Sequence, residues 1–320
     1  MANNILITGG AGFIGSNLSK RLISSKWNVN ILDISDNTCN ISDFFDRVNY
    51  IRMDVRSKNI EHTLRDLEID GIVHLAAISR VVWGEKDPDR CRSVNVGGTE
   101  NLLRAASRLG KKPWFIFGSS REVYGEPVYL PVTEDCKLNP INTYGQAKVD
   151  GENLVNQFSK KYGFNSAILR FSNVYGNERD LLDRVIPNFI IRSLKDEVLE
   201  INGKGKRFDF TFIEDTIDGI ISTARELDSQ ERFIDSFNIC SGRQIELGEV
   251  PKMLEKYLEK DIHVYYAQPE NYEIHNYLGS TEKAHEILGY RSKVTFGDGL
   301  KFTIERIRDF MGKNGGDTHT

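Results

Sequence analysis

The chain has 320 residues and a mass of 36.4 kDa, with a formal net charge of −4 and a pI near 6.0. This length allows a large buried core and roughly two domains. The charge balance and the lack of a basic stripe interleaved with aromatic residues argue against a nucleic-acid partner. No apolar run approaches the roughly 18 residues of a membrane span, and the N-terminus enters a strand without a signal-like segment. These features predict a cytoplasmic protein with no membrane partner.

The cysteines and histidines show no pattern of a metal site or of a disulfide framework. The four cysteines are far apart in the sequence, unlike zinc ligands or the cysteines of a small disulfide-linked fold. We therefore predict reduced thiols, mostly in the core, and no metal. His74 directly follows the apolar pair Ile72-Val73, which predicts a packed histidine at a strand end.

The first elements are predicted to be a strand, a glycine turn and a helix. The apolar run 5–7 is typical of a buried parallel strand, and apolar residues recur on one helical face over residues 13–23. Between them lie four glycines that fit both the G-x-x-G-x-x-G and the G-x-G-x-x-G spacing: Gly9, Gly10, Gly12 and Gly15. Such a turn brings backbone N–H groups and the positive end of the helix dipole to a pyrophosphate. We predict a dinucleotide site formed by Gly9, Gly12, Phe13, Ile14 and Gly15.

The second predicted strand ends in an acidic residue, Asp33. It lies 21 residues after Gly12, close to the ~20 expected for a ribose-binding acid. A carboxylate at this place accepts hydrogen bonds from the ribose hydroxyls and repels a 2′-phosphate. The sequence therefore predicts NAD as the cofactor, in preference to NADP.

Strands and helices alternate over the next hundred residues. Strands are predicted at 48–53, 71–75 and 114–117, and helices at 57–67 and from about Pro88 to Leu109. This alternation predicts an α/β fold with a doubly wound parallel sheet. Ligands of such sheets bind where the strands end, so we expect cofactor contacts from Asp54, Val55, Leu75, Ala76 and Ala77. For Asp54, a contact with the adenine amino group and a cap on the next helix are equally good interpretations.

The fifth predicted strand is followed by the polar run Ser119-Ser120-Arg121-Glu122. A helix begins near residue 142, and Tyr144 and Lys148 share one of its faces because they are four residues apart. On its own, such a pair is typical of a solvated helix face. Next to a dinucleotide turn and a serine-rich strand end, it indicates a catalytic site.

Together, these residues resemble the extended short-chain dehydrogenase/reductase family, specifically the nucleotide-sugar epimerases and dehydratases. The resemblance covers residues 3 to 311. It runs through Thr8-Gly9-Gly10-Ala11-Gly12-Phe13-Ile14-Gly15, His74-Leu75-Ala76-Ala77, Asn95-Val96-Gly97-Gly98-Thr99, Val123-Tyr124-Gly125, Leu169-Arg170-Phe171-Ser172-Asn173-Val174-Tyr175-Gly176, Gly203-Lys204-Gly205-Lys206-Arg207 and Leu288-Gly289-Tyr290. It implies a Rossmann domain interleaved with a smaller substrate domain.

The resemblance also implies how the chain divides. Residues 1–176 and about 207–235 are expected to form the NAD-binding domain, with 210–213 returning to the main sheet as a strand. Residues of about 177–206 and 236–311 are expected to form the substrate domain, and 312–320 a disordered tail.

The family's chemistry is hydride transfer from a sugar carbon, which needs a base beside the sugar hydroxyl. The resemblance implies that Tyr144 is this base, that Ser120 hydrogen-bonds the same oxygen, and that Lys148 holds the nicotinamide ribose. A tyrosine pKa of about 10 must fall by roughly 3 units, or about 4 kcal/mol, for this role. We expect Lys148 and the positive nicotinamide to lower it.

The predicted substrate residues are Ser79, Arg121, Asn173 and Arg207. The resemblance implies that Asn173 and Arg207 hold the diphosphate of a nucleotide sugar, although Arg207 alone reads as a surface charge. Many relatives carry a second phosphate-binding arginine in an Arg-Pro-Gly-Asp motif. This chain has Gln268-Pro269-Glu270-Asn271 at that place, so one phosphate contact is missing or comes from elsewhere.

Three functions remain open at this point. The favoured one is a 4-epimerase with a transient 4-keto sugar, and the second is a 4,6-dehydratase, decarboxylase or 4-dehydrogenase/reductase. The third is a non-catalytic NAD sensor, which would not need Ser120, Tyr144 and Lys148. Many dehydratases carry Asp-Glu where this chain has Arg121 and Glu122, and an arginine cannot act as an acid near neutral pH. Glu122 stays a candidate catalytic residue.

The resemblance also implies a homodimer. Helices 88–109 and 142–162 occupy the positions that form a four-helix interface in relatives. Leu102, Ala105, Leu154 and Phe158 are the apolar residues predicted to lie there, and the alternative is that they pack on the sheet.

Overall fold

The computed structural model describes residues 4–313, which contain twelve strands and eleven α-helices. The strands are β1 (Asn4–Thr8), β2 (Asn28–Asp33), β3 (Asn49–Arg52), β4 (Gly71–His74), β5 (Trp114–Ser120), β6 (Ser166–Phe171), β7 (Asn173–Tyr175), β8 (Leu199–Asn202), β9 (Arg207–Phe212), β10 (Ile234–Ile239), β11 (Gln244–Glu246) and β12 (Val264–Ala267). The helices are α1 (Phe13–Ser24), α2 (Ile60–Leu67), α3 (Val81–Lys86), α4 (Pro88–Arg92), α5 (Gly98–Ser107), α6 (Thr143–Tyr162), α7 (Val185–Leu194), α8 (Ile213–Ser229), α9 (Val250–Leu258), α10 (Glu282–Leu288) and α11 (Phe296–Lys313).

Seven parallel strands form the main sheet, in the order β10-β6-β5-β4-β1-β2-β3. The strand order runs one way from β1 to β3 and the other way from β4 onward. This confirms the predicted doubly wound Rossmann sheet. In such sheets a crevice opens at the carboxyl ends of the strands, at the point where the order reverses. Here that point lies between β1 and β4.

Helices cover both faces of this sheet. Ile5 and Ile7 belong to a core shared with α1 and α8, whereas Leu6 belongs to a second core shared with α2, α5 and α6. Successive side chains of a strand point to opposite faces, so a strand that is buried on both sides is apolar at every position. This explains the uninterrupted apolar run at residues 5–7.

β9 does not return to the main sheet, so the prediction for residues 210–213 is wrong. It pairs in parallel with β7 and antiparallel with β11 in a separate three-stranded sheet. The free side of β6 is taken by β10, which continues the main sheet to Ile239. β8 and β12 form a third, two-stranded parallel sheet, and α11 packs on β9 and α7.

A π-helical turn, Ser93–Gly97, lies between α4 and α5 and interrupts the helix predicted over residues 88–109. Asn95 in this turn accepts a hydrogen bond from the Ile78 N–H at 2.8 Å and donates to the Ile78 carbonyl at 3.1 Å. The asparagine therefore fixes the segment after β4 to the helix, which is a structural role. Such turns are often found at functional sites.

The other boundaries differ from the sequence prediction by a few residues. α2 begins at Ile60 instead of residue 57, and α11 extends to Lys313, so the first two residues of the predicted tail are helical. Residues 314–320 of that tail lie outside the described residues. From residue 4 to residue 313, no helix is both long enough and apolar enough to cross a membrane.

Candidate active site

A cleft of about 1480 Å³ opens at the carboxyl ends of β1, β2, β4, β5 and β6. Ordinary ligand pockets are roughly 300–1,000 Å³, so this cleft has room for a cofactor and a second ligand. The predicted cofactor residues that line it are Gly9, Gly12, Phe13, Ile14, Gly15, Asp33, Asp54, Val55, Leu75, Ala76, Ala77, Tyr144 and Lys148. The predicted catalytic and substrate residues that line it are Ser79, Ser120, Arg121, Glu122 and Asn173.

The glycine turn is packed so closely that larger residues do not fit. Gly9 has a φ of +71°, and a Cβ there would lie 2.7 Å from the Ala76 nitrogen. A Cβ at Gly15 would lie 2.4 Å from the Gly9 carbonyl oxygen. α1 begins directly after Gly12, and no side chain caps its first turn. The helix N-terminus is therefore open to an anion such as a pyrophosphate.

Two backbone N–H groups hold the Asp33 carboxylate at the end of β2. The Ala11 N–H donates to Oδ2 and the Ser35 N–H donates to Oδ1, both at 3.0 Å. The acid is thereby fixed beside the glycine turn, which is where a ribose-binding acid belongs.

Asp54 pairs with Arg56 instead of capping α2. Its Oδ2 accepts a hydrogen bond from Arg56 Nη2 at 2.6 Å, and the Arg56 guanidinium lowers the pKa of Asp54. α2 starts only at Ile60, with Asn59 as its N-cap residue. The structure therefore argues against the helix-cap interpretation, and the adenine contact stays a prediction.

Ser120, Tyr144 and Lys148 meet on one wall of the cleft. β5 ends at Ser120, and α6 begins beside it with the Asn142 side chain as its cap. The Ser120 side chain lies near the Tyr144 hydroxyl and lowers the pKa of Tyr144. One helical turn further, Lys148 Nζ donates to the Gly118 carbonyl at 2.7 Å, which fixes the lysine against the same strand.

The electrostatic environment acts on Tyr144 in opposing ways. Burial raises its pKa to about 12, the positive charge of Arg184 lowers the pKa, and the negative charge of Glu122 raises it. Burial lowers the pKa of Lys148 from 10.5 to about 8. The largest lowering contribution to the Tyr144 pKa thus comes from Arg184, which precedes α7, and not from Lys148 as the sequence analysis expected.

Arg121 and Glu122 form a buried ion pair at the end of β5, with Arg121 Nη2 at 3.0 Å from Glu122 Oε1. The other Glu122 oxygen accepts a hydrogen bond from Asn142 Nδ2 at 2.8 Å. Arg121 Nε donates to Asn173 Oδ1 at 3.1 Å, and its guanidinium lies 4.8 Å from the centre of the Phe208 ring. Both oxygens of Glu122 are therefore occupied by protein partners.

A buried polar network supports the strand end from behind. Glu152 accepts hydrogen bonds from Ser119 Oγ at 2.6 Å and from Arg170 Nη2 at 2.8 Å. Arg170 Nη1 also donates to the Tyr124 hydroxyl at 2.8 Å. The network fixes α6 to β5 and β6 and so holds Ser120 and Lys148 in place. Glu152 was not predicted from the sequence, although its spacing of four residues from Lys148 places it on the same face of α6.

His74 packs at the strand end, as predicted. Its Nδ1 lies 2.6 Å from Thr8 Oγ1, its Nε2 lies 2.9 Å from Thr99 Oγ1, and burial lowers its pKa to about 3. It thus joins β1, β4 and α5. Among residues 4–313, no three or more His, Cys, Asp or Glu side chains are grouped so as to hold a metal ion.

Arg207 does not line the cleft. Its side chain is 56% exposed and pairs with Glu246 at 3.0 Å. The neighbouring residues Lys206 and Phe208 are buried and do line the cleft, because side chains alternate along the start of β9. This position argues against the predicted phosphate contact of Arg207. Phe208 and Phe210 also line the cleft, so their alternation in the sequence indicates that the side chain of residue 206 points to the same side.

Several arginines that line the cleft were not predicted from the sequence, among them Arg80 and Arg184. Arg184 Nη2 donates to Ser79 Oγ at 3.4 Å, and Nη1 lies 3.6 Å from the buried Asp180. Arg80 forms an ion pair with Asp183 across the cleft. Arg80 follows β4 and Arg184 follows β7, in segments whose sequence has no helical or strand periodicity. The prediction of Ser79 as a substrate residue was therefore the one sequence signal near Arg80.

The fold and these residues define a class: α/β proteins with a dinucleotide cleft and a Ser-Tyr-Lys wall. Residues 5–240 match the model of the NAD dependent epimerase/dehydratase family. The chain belongs to this family, which confirms the resemblance drawn from the sequence.

Several characterised relatives are similar over almost the whole chain. The solved UDP-glucuronic acid 4-epimerase of Bacillus cereus, in complex with UDP-glucuronic acid and NAD, is 31% identical, with a TM-score of 0.89 and coverage of 96% of this chain and 99% of that chain. The UDP-glucose 4-epimerase of Thermotoga maritima, solved with UDP-glucose, is 29% identical, with a TM-score of 0.90 and the same coverage. UDP-glucuronic acid decarboxylase 4 of Arabidopsis thaliana is 30% identical over 95% of this chain and 68% of its own length.

The cofactor of the family fits the residues of this cleft. The absence of side chains at Gly9 and Gly15 allows the tight turn, the N-terminus of α1 is open to the pyrophosphate, and Asp33 stands where a ribose would lie. Tyr144 and Lys148 line the same cleft further along. NAD is therefore the cofactor that this site is built to hold.

Proposed function

We propose that this protein is an NAD-dependent nucleotide-sugar 4-epimerase, with a UDP-sugar as the first substrate to test. The similar UDP-sugar 4-epimerases support the choice of substrate. The main support for this reaction type is that Ser120, Tyr144 and Lys148 lie together beside the glycine turn. A protein that only senses NAD needs the glycine turn and Asp33, but it does not need this wall.

In the proposed reaction the C4 carbon of the sugar is oxidised and then reduced from its other face. NAD supplies the hydride acceptor when it is bound. Tyr144 takes the proton of the C4 hydroxyl as the carbonyl forms and returns it at reduction, and Ser120 holds the same oxygen by a hydrogen bond. Lys148 and Arg184 supply positive charge close to the phenol, which favours its ionised form.

The ion pair next to Ser120 favours an epimerase over a dehydratase. Arg121 stands where a dehydratase needs an acid, and its guanidinium stays protonated near neutral pH. Glu122 contacts Arg121 through one oxygen and Asn142 through the other, so taking up a C5 proton would neutralise the partner of the buried Arg121 guanidinium. In an epimerase this pair has a structural role.

The second candidate is a nucleotide-sugar decarboxylase or dehydratase. Glu122 itself and the similar UDP-glucuronic acid decarboxylase favour it. Both candidates share the 4-keto intermediate and differ only in what happens at C5 and C6.

A product assay in D₂O separates the two candidates. Purified protein with NAD is incubated with UDP-, GDP-, dTDP- and CDP-sugars, and the products are read by mass spectrometry and NMR. We expect C4 epimers without deuterium at C5, and substantial turnover in Glu122→Gln. Deuterium at C5, loss of CO₂ or a 4-keto-6-deoxy product would move the assignment to the second candidate.

We also propose a homodimer, with α5 and α6 of each protomer at the interface. Leu102 and Ala105 cannot contribute to it as predicted, because both are buried in the core beneath these helices. Leu154 and Phe158 are only half-buried, and the Phe158 ring contacts the more exposed Tyr162. These three residues of α6 form an apolar strip that supports the proposal.

The assignment of chain segments to NAD and to the sugar substrate stays a prediction, and so does the cellular location of the protein. The expected NAD-binding segment of about 207–235 is changed at both ends, because β9 lies outside the main sheet and β10 continues that sheet to Ile239. We propose that residues up to 176, α8 and β10 bind NAD. The segments of about 177–206 and after β10 would then bind the nucleotide sugar. The cytoplasmic location is likewise retained.

A further inference from the structure

The start of β9 presents two neighbouring cations on opposite sides. Lys206 is 4% exposed and lines the cleft, whereas the Arg207 side chain is 56% exposed and pairs with Glu246 on β11. A substrate in the cleft can therefore contact Lys206 but not Arg207.

Within residues 4–313, the buried ammonium group of Lys206 forms one ion pair, with Glu273. Nζ lies 2.6 Å from Glu273 Oε2, and Glu273 also lines the cleft. The lysine reaches this partner by passing over Gly203, where a Cβ would lie 2.7 Å from Lys206 Cε. Glu273 is held loosely in turn, since its side chain is 29% exposed and the same oxygen accepts a long 3.3 Å hydrogen bond from the Glu270 N–H.

The position of Lys206 along the cleft suits the phosphates of a nucleotide sugar. Asn173, which holds Arg121 beside the catalytic serine, pairs with Phe210 of β9. Lys206 precedes Phe210 by four residues, or about 13 Å along an extended chain. Beyond it the cleft is lined by Glu200 and Asn202 of β8. A ligand with its sugar at Ser120 thus brings its diphosphate to the level of Lys206.

We propose that Lys206, and not Arg207, binds the diphosphate of the substrate, and that the phosphate displaces Glu273 from the lysine. The inference rests on the proposed function, because it assumes a nucleoside-diphosphate sugar. Lys206 thereby takes the phosphate contact that the resemblance assigned to Arg207. Glu273 neutralises the buried ammonium group until the phosphate replaces it, since a buried unpaired charge is costly.

The test uses calorimetric titration of the full chain, loaded with NAD, with UDP, dTDP, GDP and CDP. For the nucleotide that binds best, Lys206→Gln is expected to weaken binding by about 10- to 100-fold, because a charge-assisted hydrogen bond is lost. Lys206→Arg is expected to retain most of the affinity. Arg207→Gln is the matched control at the next position and is expected to bind like the wild type.

Glu273→Gln gives a second readout with the opposite sign. Removing the competing anion is expected to tighten binding of the nucleotide, whereas a carboxylate that merely supports the fold would not do so. NAD affinity and the melting temperature show whether each variant is folded. Unchanged affinity in Lys206→Gln, weakened affinity in Arg207→Gln, or weaker binding in Glu273→Gln would each overturn this inference but not the proposed function. A wild type that binds none of the four diphosphates would overturn the proposed function as well.

Discussion

At the level of single residues, Tyr144 shows burial and catalysis acting against each other. Burial raises its pKa to about 12, although a base must lose its proton near neutral pH. Arg184 and the Ser120 side chain lower the pKa of Tyr144 but do not outweigh burial. Each unit by which the pKa of Tyr144 must still fall corresponds to about 1.4 kcal/mol. Positive charge beside the phenol in the cofactor complex can supply this stabilisation. Tyr144 therefore needs further positive charge beside its phenol to act as a base near neutral pH.

Replacing Tyr144 by phenylalanine tests this assignment. The variant is expected to bind NAD like the wild type, because the aromatic ring and its packing are retained. Turnover is expected to fall by about 10²–10⁴-fold, the usual value of general base catalysis. Steady-state rates with the best substrate, together with NAD titration, measure both quantities. Wild-type rates in Tyr144→Phe would place the base elsewhere.

At the level of elements, the end of β2 sets the cofactor preference. Asp33 is held by two backbone N–H groups and cannot turn away from a ribose without losing both. A 2′-phosphate at this place would meet a fixed negative charge. We expect calorimetry to show clearly tighter binding of NAD than of NADP, and a smaller difference in Asp33→Asn. Tighter binding of NADP to the wild type would contradict this prediction.

The contact of β1, β4 and α5 at His74 gives the fold a pH dependence. The pKa of His74 is about 3 in the fold and 6.5 as an ordinary histidine, so below pH 6.5 the unfolded chain binds a proton that the folded chain does not. The contribution of His74 to stability is complete above pH 6.5 and is lost as the pH falls toward 3. The added slope is at most about 1.4 kcal/mol per pH unit.

His74→Gln isolates this effect. Urea unfolding between pH 6.5 and 4.5 is expected to show a steeper loss of unfolding free energy in the wild type than in the variant. Equal slopes in the two proteins would show that His74 does not take up this proton on unfolding.

Sequence patterns predicted correctly those elements whose residues are determined by their immediate surroundings. Residues 5–7 are apolar because both faces of β1 are buried, and Gly9 and Gly15 are glycines because nothing larger fits. The partner of a strand is not encoded in its own residues, so β9 was assigned to the wrong sheet. Arg207 matched a spacing pattern, but the alternation of β9 turned its side chain away from the cleft. Arg184 lies in an irregular segment, where no periodicity indicates a direction.

At the level of the whole molecule, the segment after β7 closes over the cofactor end of the cleft. Asn40 Nδ2 donates to the Ala11 carbonyl of the glycine turn and to the Arg179 carbonyl, both at 3.1 Å. Asp183 of the same segment pairs with Arg80, and Arg184 reaches Ser79 and acts on Tyr144. Hydrogen bonds and an ion pair thus join the glycine turn, this segment and the region of the catalytic tyrosine, although residues distant in the sequence supply them.

At the same level, the proposed homodimer can be tested at the apolar strip of α6, which consists of Leu154, Phe158 and Tyr162. Light scattering at micromolar concentration is expected to give about twice the chain mass of 36.4 kDa. Phe158→Glu places a charge in the strip and is expected to give monomers, because burying an unpaired carboxylate is costly. Lys160→Glu lies on the exposed side of the same helix and is expected to remain dimeric. NAD binding shows that each variant is folded. A wild type with the mass of one chain would refute the dimer, and a dimeric, folded Phe158→Glu would place the interface on another face.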